Sequence, residues 1–146
     1  VVEHLEKLRK CGENPKMIIP ETYIIKGDTH ESDLEDCMHR ISPHPENSMW
    51  IIKPGEFSNR GKGIQIAMQK SEITGIVNTM YNPDKKNCIL VQRYLENPLL
   101  YQKRKFDLRC YCMIIKAPQK FSVFAYKYGY ARTTSYEYVF EKYPDD

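Results

Sequence analysis

The stretch Trp50-Ile-Ile-Lys-Pro-Gly-Glu-Phe-Ser-Asn-Arg-Gly-Lys-Gly-Ile64 constrains this chain more than any other. A short apolar run from Trp50 to Ile52 delivers one lysine, Lys53, and Pro54 ends it, since proline has no N–H for a continuing strand ladder. Glycines at 55, 61 and 63 punctuate a small polar loop before the chain turns apolar again at Ile64 and Ile66. The pattern predicts a strand carrying a lysine, a Gly-rich loop and a returning strand. Such a hairpin can lay backbone N–H groups and one ammonium against a polyphosphate. An ordinary surface hairpin with a solvated basic tip satisfies the same residues, and a lysine framed by Trp50, Ile51, Ile52 and Pro54 can also snorkel to water.

With 146 residues the chain is long enough for one domain with its own core. It begins at Val1 and ends in Tyr-Pro-Asp-Asp, which reads as a piece of a longer polypeptide. The net charge of +3 is too mild to demand a nucleic-acid partner. No apolar run approaches the roughly 18 residues of a membrane span, and no basic-then-apolar leader is visible, so no membrane partner is expected. The five cysteines, at 11, 37, 88, 110 and 112, form no Cys-x-x-Cys pair, which argues for reduced thiols rather than a disulfide framework. Cys37 with His39, or Cys110 with Cys112, supplies only fragments of a zinc site, so no metal ligands are assigned.

Taken in order, Val1, Leu5 and Leu8 fall at helical spacing, and a short amphipathic helix is expected over Val1 to Lys10. Met17 to Ile19 and Tyr23 to Ile25 read as brief strands on either side of Pro20. Asp28, with Glu31 three residues on, reads as a helix start whose stripe runs through Leu34, Met38 and Ile41. His30, His39 and His44 sit on polar ground and read as solvated or helix-end residues. A second helix starts near Ser71, keeps Ile73, Ile76, Val77 and Met80 on one face, and stops at Asn82-Pro83-Asp84. Cys88 to Gln92 is a short apolar strand expected to run through the core.

Phe106 to Lys116 alternates apolar residues with Asp107, Arg109, Tyr111 and Met113, and is predicted as one strand paired with Phe121 to Tyr128. Tyr130-Ala-Arg132 opens what reads as an irregular, Tyr-rich tail. The whole is a mixed α/β (α+β) layout, its strands mostly antiparallel with helices packed on one side. Lys105, Asp107 and Arg109 share one strand face. Three ionisable residues there call for a wet face, where local ion pairs contribute less than about 1 kcal/mol, or for an anion site.

No Gly-x-x-x-x-Gly-Lys-Ser/Thr is present, nor a Gly-x-Gly-x-x-Gly opening a helix, which excludes a P-loop and a dinucleotide-binding βαβ unit. In a protein kinase the Gly-rich loop precedes the strand lysine; here the lysine comes first. Strand lysine, glycine loop, helix, apolar strand, connector and charged strand form the order of an ATP-grasp nucleotide site.

Four blocks carry a resemblance: Trp50-Ile-Ile-Lys-Pro54, Ser58-Asn-Arg-Gly-Lys-Gly-Ile64, Val91-Gln-Arg-Tyr-Leu-Glu-Asn-Pro98 with Leu99-Leu100, and Lys105-Phe-Asp-Leu-Arg109. Ile19-Pro-Glu-Thr-Tyr23 and Gly129-Tyr-Ala-Arg132 add to them. From about residue 15 onward the chain resembles the tubulin tyrosine ligase-like family, within the ATP-grasp superfamily. The resemblance implies a partial domain over residues 1–146, with a lead-in over about 15–48 and a nucleotide-binding core over 49–146. It implies that Lys53 binds the α- and β-phosphates of ATP while the loop from Ser58 through Arg60, Gly61 and Gly63 to Ile64 closes over them. Gln92, Arg93, Tyr94 and Leu95 would hold adenine, with Arg93 standing where the family more often has lysine. Lys105 and Asp107, with Arg109 and Arg132 as the catalytic pair, would line the ribose, γ-phosphate and acyl-phosphate region.

The activity so implied is ATP-dependent ligation of glutamate or glycine to tubulin tails through an acyl phosphate. Its partners would be tubulin or microtubules and a free amino acid. Its place would be the cytoplasm and the microtubule cytoskeleton, extending to cilium, axoneme or basal body. The family's Mg²⁺ ligands are expected downstream of residue 146, so this segment alone is expected to be inactive. A noncatalytic nucleotide- or microtubule-binding module that keeps the ATP-grasp frame is the second reading. Nucleic-acid binding through Lys103-Arg-Lys105 is a third, disfavoured by the small net charge.

Overall fold

The computed structural model describes residues 7, 10–12, 19–45, 48–55 and 61–140. The helix expected over Val1 to Lys10 and the strand expected over Met17 to Ile19 fall almost wholly outside these. The chain divides into two compact units, residues 1–95 and 96–146.

The first unit contains β1 (Thr22–Ile25), a 3-10 turn (Gly27–Thr29), α1 (His30–Ile41), β2 (Trp50–Pro54), β3 (Gln65–Ala67), α2 (Lys70–Met80) and β4 (Ile89–Arg93). Its four strands are ordered β1-β4-β2-β3, and every neighbouring pair is antiparallel. The expected hairpin around Lys53 is present, with Trp50 opposite Ala67 and Ile52 opposite Gln65. β4 runs through the middle of the sheet, as its unbroken Ile-Leu-Val run requires.

Strand alternation then separates two faces. Ile25, Ile52, Ile89 and Val91 are all 0% exposed and pack with Trp50 against Leu34, Cys37 and Ile41 of α1 and Ile73 and Val77 of α2. Each of these buried aliphatic side chains contributes about 1.5–3 kcal/mol relative to exposure. Burial among them pushes the Cys37 thiol up to about 12, so it behaves as a small protonated hydrophobe. All five cysteines are free thiols.

Both helices begin slightly away from their expected starts. α1 starts at His30, and the acid that secures it is Asp33 rather than Glu31. The Asp33 carboxylate accepts from the Lys26 N–H at 2.9 Å and from the Thr29 hydroxyl at 2.7 Å, while Asp28 pairs with Lys86 at 2.7 Å. α2 starts at Lys70, where the Glu72 carboxylate accepts from the Met68 and Gln69 N–H groups. The histidine expectation holds for His39, which is exposed, and for His30, the first residue of α1, but His30 and His44 are both more buried than their polar neighbours suggest. His30 is buried and stacks on Tyr81 with centroids 3.9 Å apart. His44 is half-buried, meets the Trp50 ring edge-on and lies 3.2 Å from Glu21. Local polarity hid both, because the apolar partners come from distant sequence.

The second unit contains β5 (Leu100–Tyr101), β6 (Arg104–Arg109), β7 (Cys112–Ala117), β8 (Lys120–Ala125) and β9 (Tyr130–Thr133). Two expectations are corrected here. The alternating run from Phe106 to Lys116 is two strands, divided at Cys110-Tyr111: β6 pairs with β5 and β9, and β7 pairs with β8. The tail opening at Tyr130 is not irregular but forms β9, with Asp107 opposite Arg132. Continuous alternation cannot reveal a strand that changes partners, because the period of two is kept on both sides of the break. β5 and β6 close over Gln102 and Lys103, both in the left-handed region at φ 48° and 59°. The described residues give a mixed α/β fold whose strands pair antiparallel, with α1 and α2 packed against the first sheet.

Replacing Ile52 by Ala should cost about 2–5 kcal/mol in urea unfolding, whereas Ile66→Ala on the other face should cost less than half of that. Equal losses would mean that the two faces of the sheet are not packed differently.

Candidate functional site

The alternate positions of the four-stranded sheet make up its second face. Register puts Thr22 beside Gln92, Gln92 beside Ile51, and Leu90 beside Lys53, while Ile66 adjoins Ile51 on β3. Ile66 is 46% exposed, in contrast to the closed packing under the helices. The face is therefore an apolar platform holding one cation.

That cation is Lys53. Its ammonium donates to Gln92 Oε1 at 2.7 Å. Gln92 Nε2 donates to Thr22 Oγ1 at 2.7 Å, and the Thr22 hydroxyl donates to the Pro20 carbonyl at 2.7 Å. Three strands are thus tied by one polar chain. Among the described residues no carboxylate pairs with Lys53, and partial burial pulls its pKa below the ordinary lysine value. An ammonium held by a neutral amide offers an incoming anion a cation that no described carboxylate offsets.

The loop beside it is shaped by close approaches. Gly55 N–H donates to the Cys88 carbonyl at 2.7 Å, and a Cβ on Gly55 would lie 2.8 Å from that oxygen, so no side chain fits. Gly63, at φ +74°, lies against Pro54, which a Cβ would meet at 3.0 Å. Gly61 and Ile64 are exposed, and Ser58 and Arg60 lie outside the described residues. Gln92 and Lys53 are directly bonded, but Arg93 belongs to the other side of the sheet, its guanidinium 5.6 Å from the Trp50 ring centre. The Tyr94 N–H donates to the Met49 carbonyl at 3.0 Å, and Leu95 is 60% exposed.

In the second unit Lys105, Asp107 and Arg109 share one face of β6. The Asp107 carboxylate accepts from Arg132 Nε at 2.9 Å and from a terminal guanidinium nitrogen at 2.6 Å, and this contact holds the Arg132 pKa above its ordinary value. The Lys105 ammonium lies 4.0 Å from the Tyr138 ring centre, and Arg109 stands opposite Tyr130. Asp107 and Arg132 thus form one ion-paired unit, which their separation by 25 residues and the missed strand β9 concealed in the sequence. Thr22 was likewise not singled out, since a lone threonine between Glu21 and Tyr23 gives no signal of a partner 70 residues on. Among the described residues no group of three or more His, Cys, Asp or Glu side chains converges as a metal site. No helix among them is long and apolar enough to cross a membrane.

Comparison with known proteins shows a match to the Tubulin-tyrosine ligase family over residues 1–146. The chain is 36% identical over 94 residues to Tubulin glycylase 3B of Drosophila melanogaster, covering 64% of this chain and 12% of that protein. It is 35% identical over 128 residues to "Probable alpha-tubulin polyglutamylase Ttll1" of Tetrahymena thermophila, covering 83% and 29% respectively. Against Protein polyglycylase TTLL10 of Mus musculus it is 37% identical, covering 90% of this chain and 20% of that one. The chain therefore spans less than a third of each of these relatives. Among solved structures, the C-terminal domain from K. lactis Pby1, an ATP-grasp enzyme interacting with the mRNA decapping enzyme Dcp2, gives a TM-score of 0.49 at 23% identity. That alignment covers 88% of this chain and 35% of the other.

Burial disfavours charged Lys53 in the folded state, so the unfolded chain binds more protons between the lowered pKa and the ordinary 10.5. The unfolding free energy of the wild type minus that of Lys53→Met should therefore rise as pH is raised toward 10.5. Urea melts across that range check this; a flat difference would mean a fully hydrated lysine.

Proposed function

The chain belongs to the tubulin-tyrosine ligase family, and from that membership we propose that it is part of an ATP-dependent ligase that adds glutamate or glycine to tubulin tails. The relatives named above as polyglutamylases and glycylases support this substrate class. The observation that carries the reading is the Lys53 ammonium, half-buried on the sheet face opposite α1 and α2 and bonded only to the neutral Gln92 amide among the described residues. Such a group attracts phosphate without first having to break an ion pair. The neighbouring apolar platform suits a purine ring, and the Gly-rich segment ending at Gly63 suits a loop that approaches phosphate through backbone N–H groups.

In this reading Lys53 neutralises the α- and β-phosphates. The loop containing Ser58, Arg60, Gly61, Gly63 and Ile64 covers them, and Gln92 to Leu95 hold adenine within an ATP-grasp frame. For Lys105, Asp107, Arg109 and Arg132, the proposed roles at the ribose, γ-phosphate and acyl phosphate rest on the family. The geometry adds that Asp107 holds Arg132 in place, so the two act as a pair. A glutamate carboxylate of the protein substrate attacks the γ-phosphorus of ATP, and ADP departs. The amine of the incoming amino acid then displaces phosphate from the acyl phosphate, and an amide remains. Mg²⁺ bound with ATP would neutralise phosphate charge as it develops, and among the described residues no group of three or more His, Cys, Asp or Glu side chains is placed to hold it. Association with the microtubule cytoskeleton, including cilia, follows from the proposed substrate.

The full-length protein incubated with tubulin, Mg-ATP and labelled glutamate, glycine or tyrosine should incorporate glutamate or glycine. Incorporation of neither, with nucleotide still bound, would favour a noncatalytic binding module. Lys53→Ala should weaken ATP affinity by about tenfold to a hundredfold, the value of a charged hydrogen bond. Calorimetry showing unchanged affinity would remove the phosphate role.

A further inference from the structure

We propose that Thr22 is a positioning residue for nucleotide binding, fixing the orientation of the Gln92 amide and through it the aim of the Lys53 ammonium. The inference rests on the phosphate role proposed for Lys53. Thr22 is 6% exposed, and its hydroxyl has one proton, which it gives to the Pro20 carbonyl at 2.7 Å. Toward Gln92 it can therefore only accept. This forces the NH₂ end of the Gln92 amide toward Thr22, at 2.7 Å, and leaves the carbonyl oxygen facing Lys53, also at 2.7 Å. A flipped amide would set an NH₂ group against an ammonium, donor against donor. The polarity of the chain is thus set at its far end by a backbone carbonyl that cannot rotate independently.

Two consequences follow for the site. The amide satisfies one of the three ammonium N–H donors and leaves two for an anion. Because it is neutral, it orients Lys53 without cancelling its charge, which a carboxylate at position 92 would do. Thr22 touches no nucleotide in this scheme, and its effect reaches the ligand only through Gln92 and Lys53.

The test measures Mg-ATP affinity by calorimetry and KM against kcat in the full-length protein, for Thr22→Val, Thr22→Ser and Lys53→Ala. Thr22→Val keeps the shape but cannot accept or donate, and should weaken ATP binding by about tenfold, with KM raised and kcat held. Thr22→Ser should restore wild-type affinity, because the hydroxyl is what acts. Loss in Lys53→Ala with no loss in Thr22→Val overturns the positioning role and leaves the phosphate reading standing. Equal loss in the Val and Ser variants also overturns it, since the residue would then matter by packing alone. Undiminished affinity in Lys53→Ala removes the phosphate reading, and this inference with it. If Thr22→Val does not fold, Thr22→Ala is measured instead; affinity at the wild-type level there overturns the proposal, and a loss that Thr22→Ser does not share supports it.

Discussion

The pairing of β4 with both β1 and β2 is the constraint on which the first unit depends. Ile89 and Val91 on one face close the core beneath the two helices, while Gln92 on the other face ties Thr22 to Lys53. One five-residue strand therefore carries both the packing and the polar site. A slip of one residue in its register would turn Val91 outward and Gln92 into the core. That exchange would expose an aliphatic side chain and bury an amide away from its partners, so the two faces enforce the same register. The site is consequently rigid for the same reason that the core is.

Much of this was legible in the sequence because it rests on local pattern. The Trp50 to Ile64 hairpin, the stripe of Ile73, Val77 and Met80 in α2, and the buried strand from Ile89 each announce themselves within about fifteen residues, by period or by punctuation. What the sequence hid depends on partners brought in from afar. β9 is only four residues long and shows no clear alternation, so it does not read as a strand until β6 is seen beside it. The burial of His30 depends on Tyr81, and the role of Asp33 depends on a backbone N–H seven residues earlier. Within the site, Lys53 and Gln92 were visible as candidates, but the bond between them was not, since they lie 39 residues apart. Thr22 lay within the Ile19 to Tyr23 block, but nothing local pointed to Gln92, 70 residues on.

The candidate cations differ in a way that only geometry reveals. Arg132 is half-exposed and already engaged by Asp107, so its charge is partly spent within its own unit. Lys53 is half-buried and engaged by an amide, so among the described residues no carboxylate offsets its charge. Solvent screens the first more than the second. An approaching anion therefore gains more from Lys53, where water is partly excluded and no counter-charge must be displaced. Arg132 can be recruited only if its carboxylate partner tolerates the sharing of its donors. Asp107 accepts through a single oxygen, leaving the other oxygen and one guanidinium nitrogen outside the pair, and an arginine held this way is oriented without being closed to a second acceptor. In the function proposed above, the ammonium without a carboxylate partner would serve static phosphate binding, and the carboxylate-held guanidinium an oxygen whose charge changes during reaction.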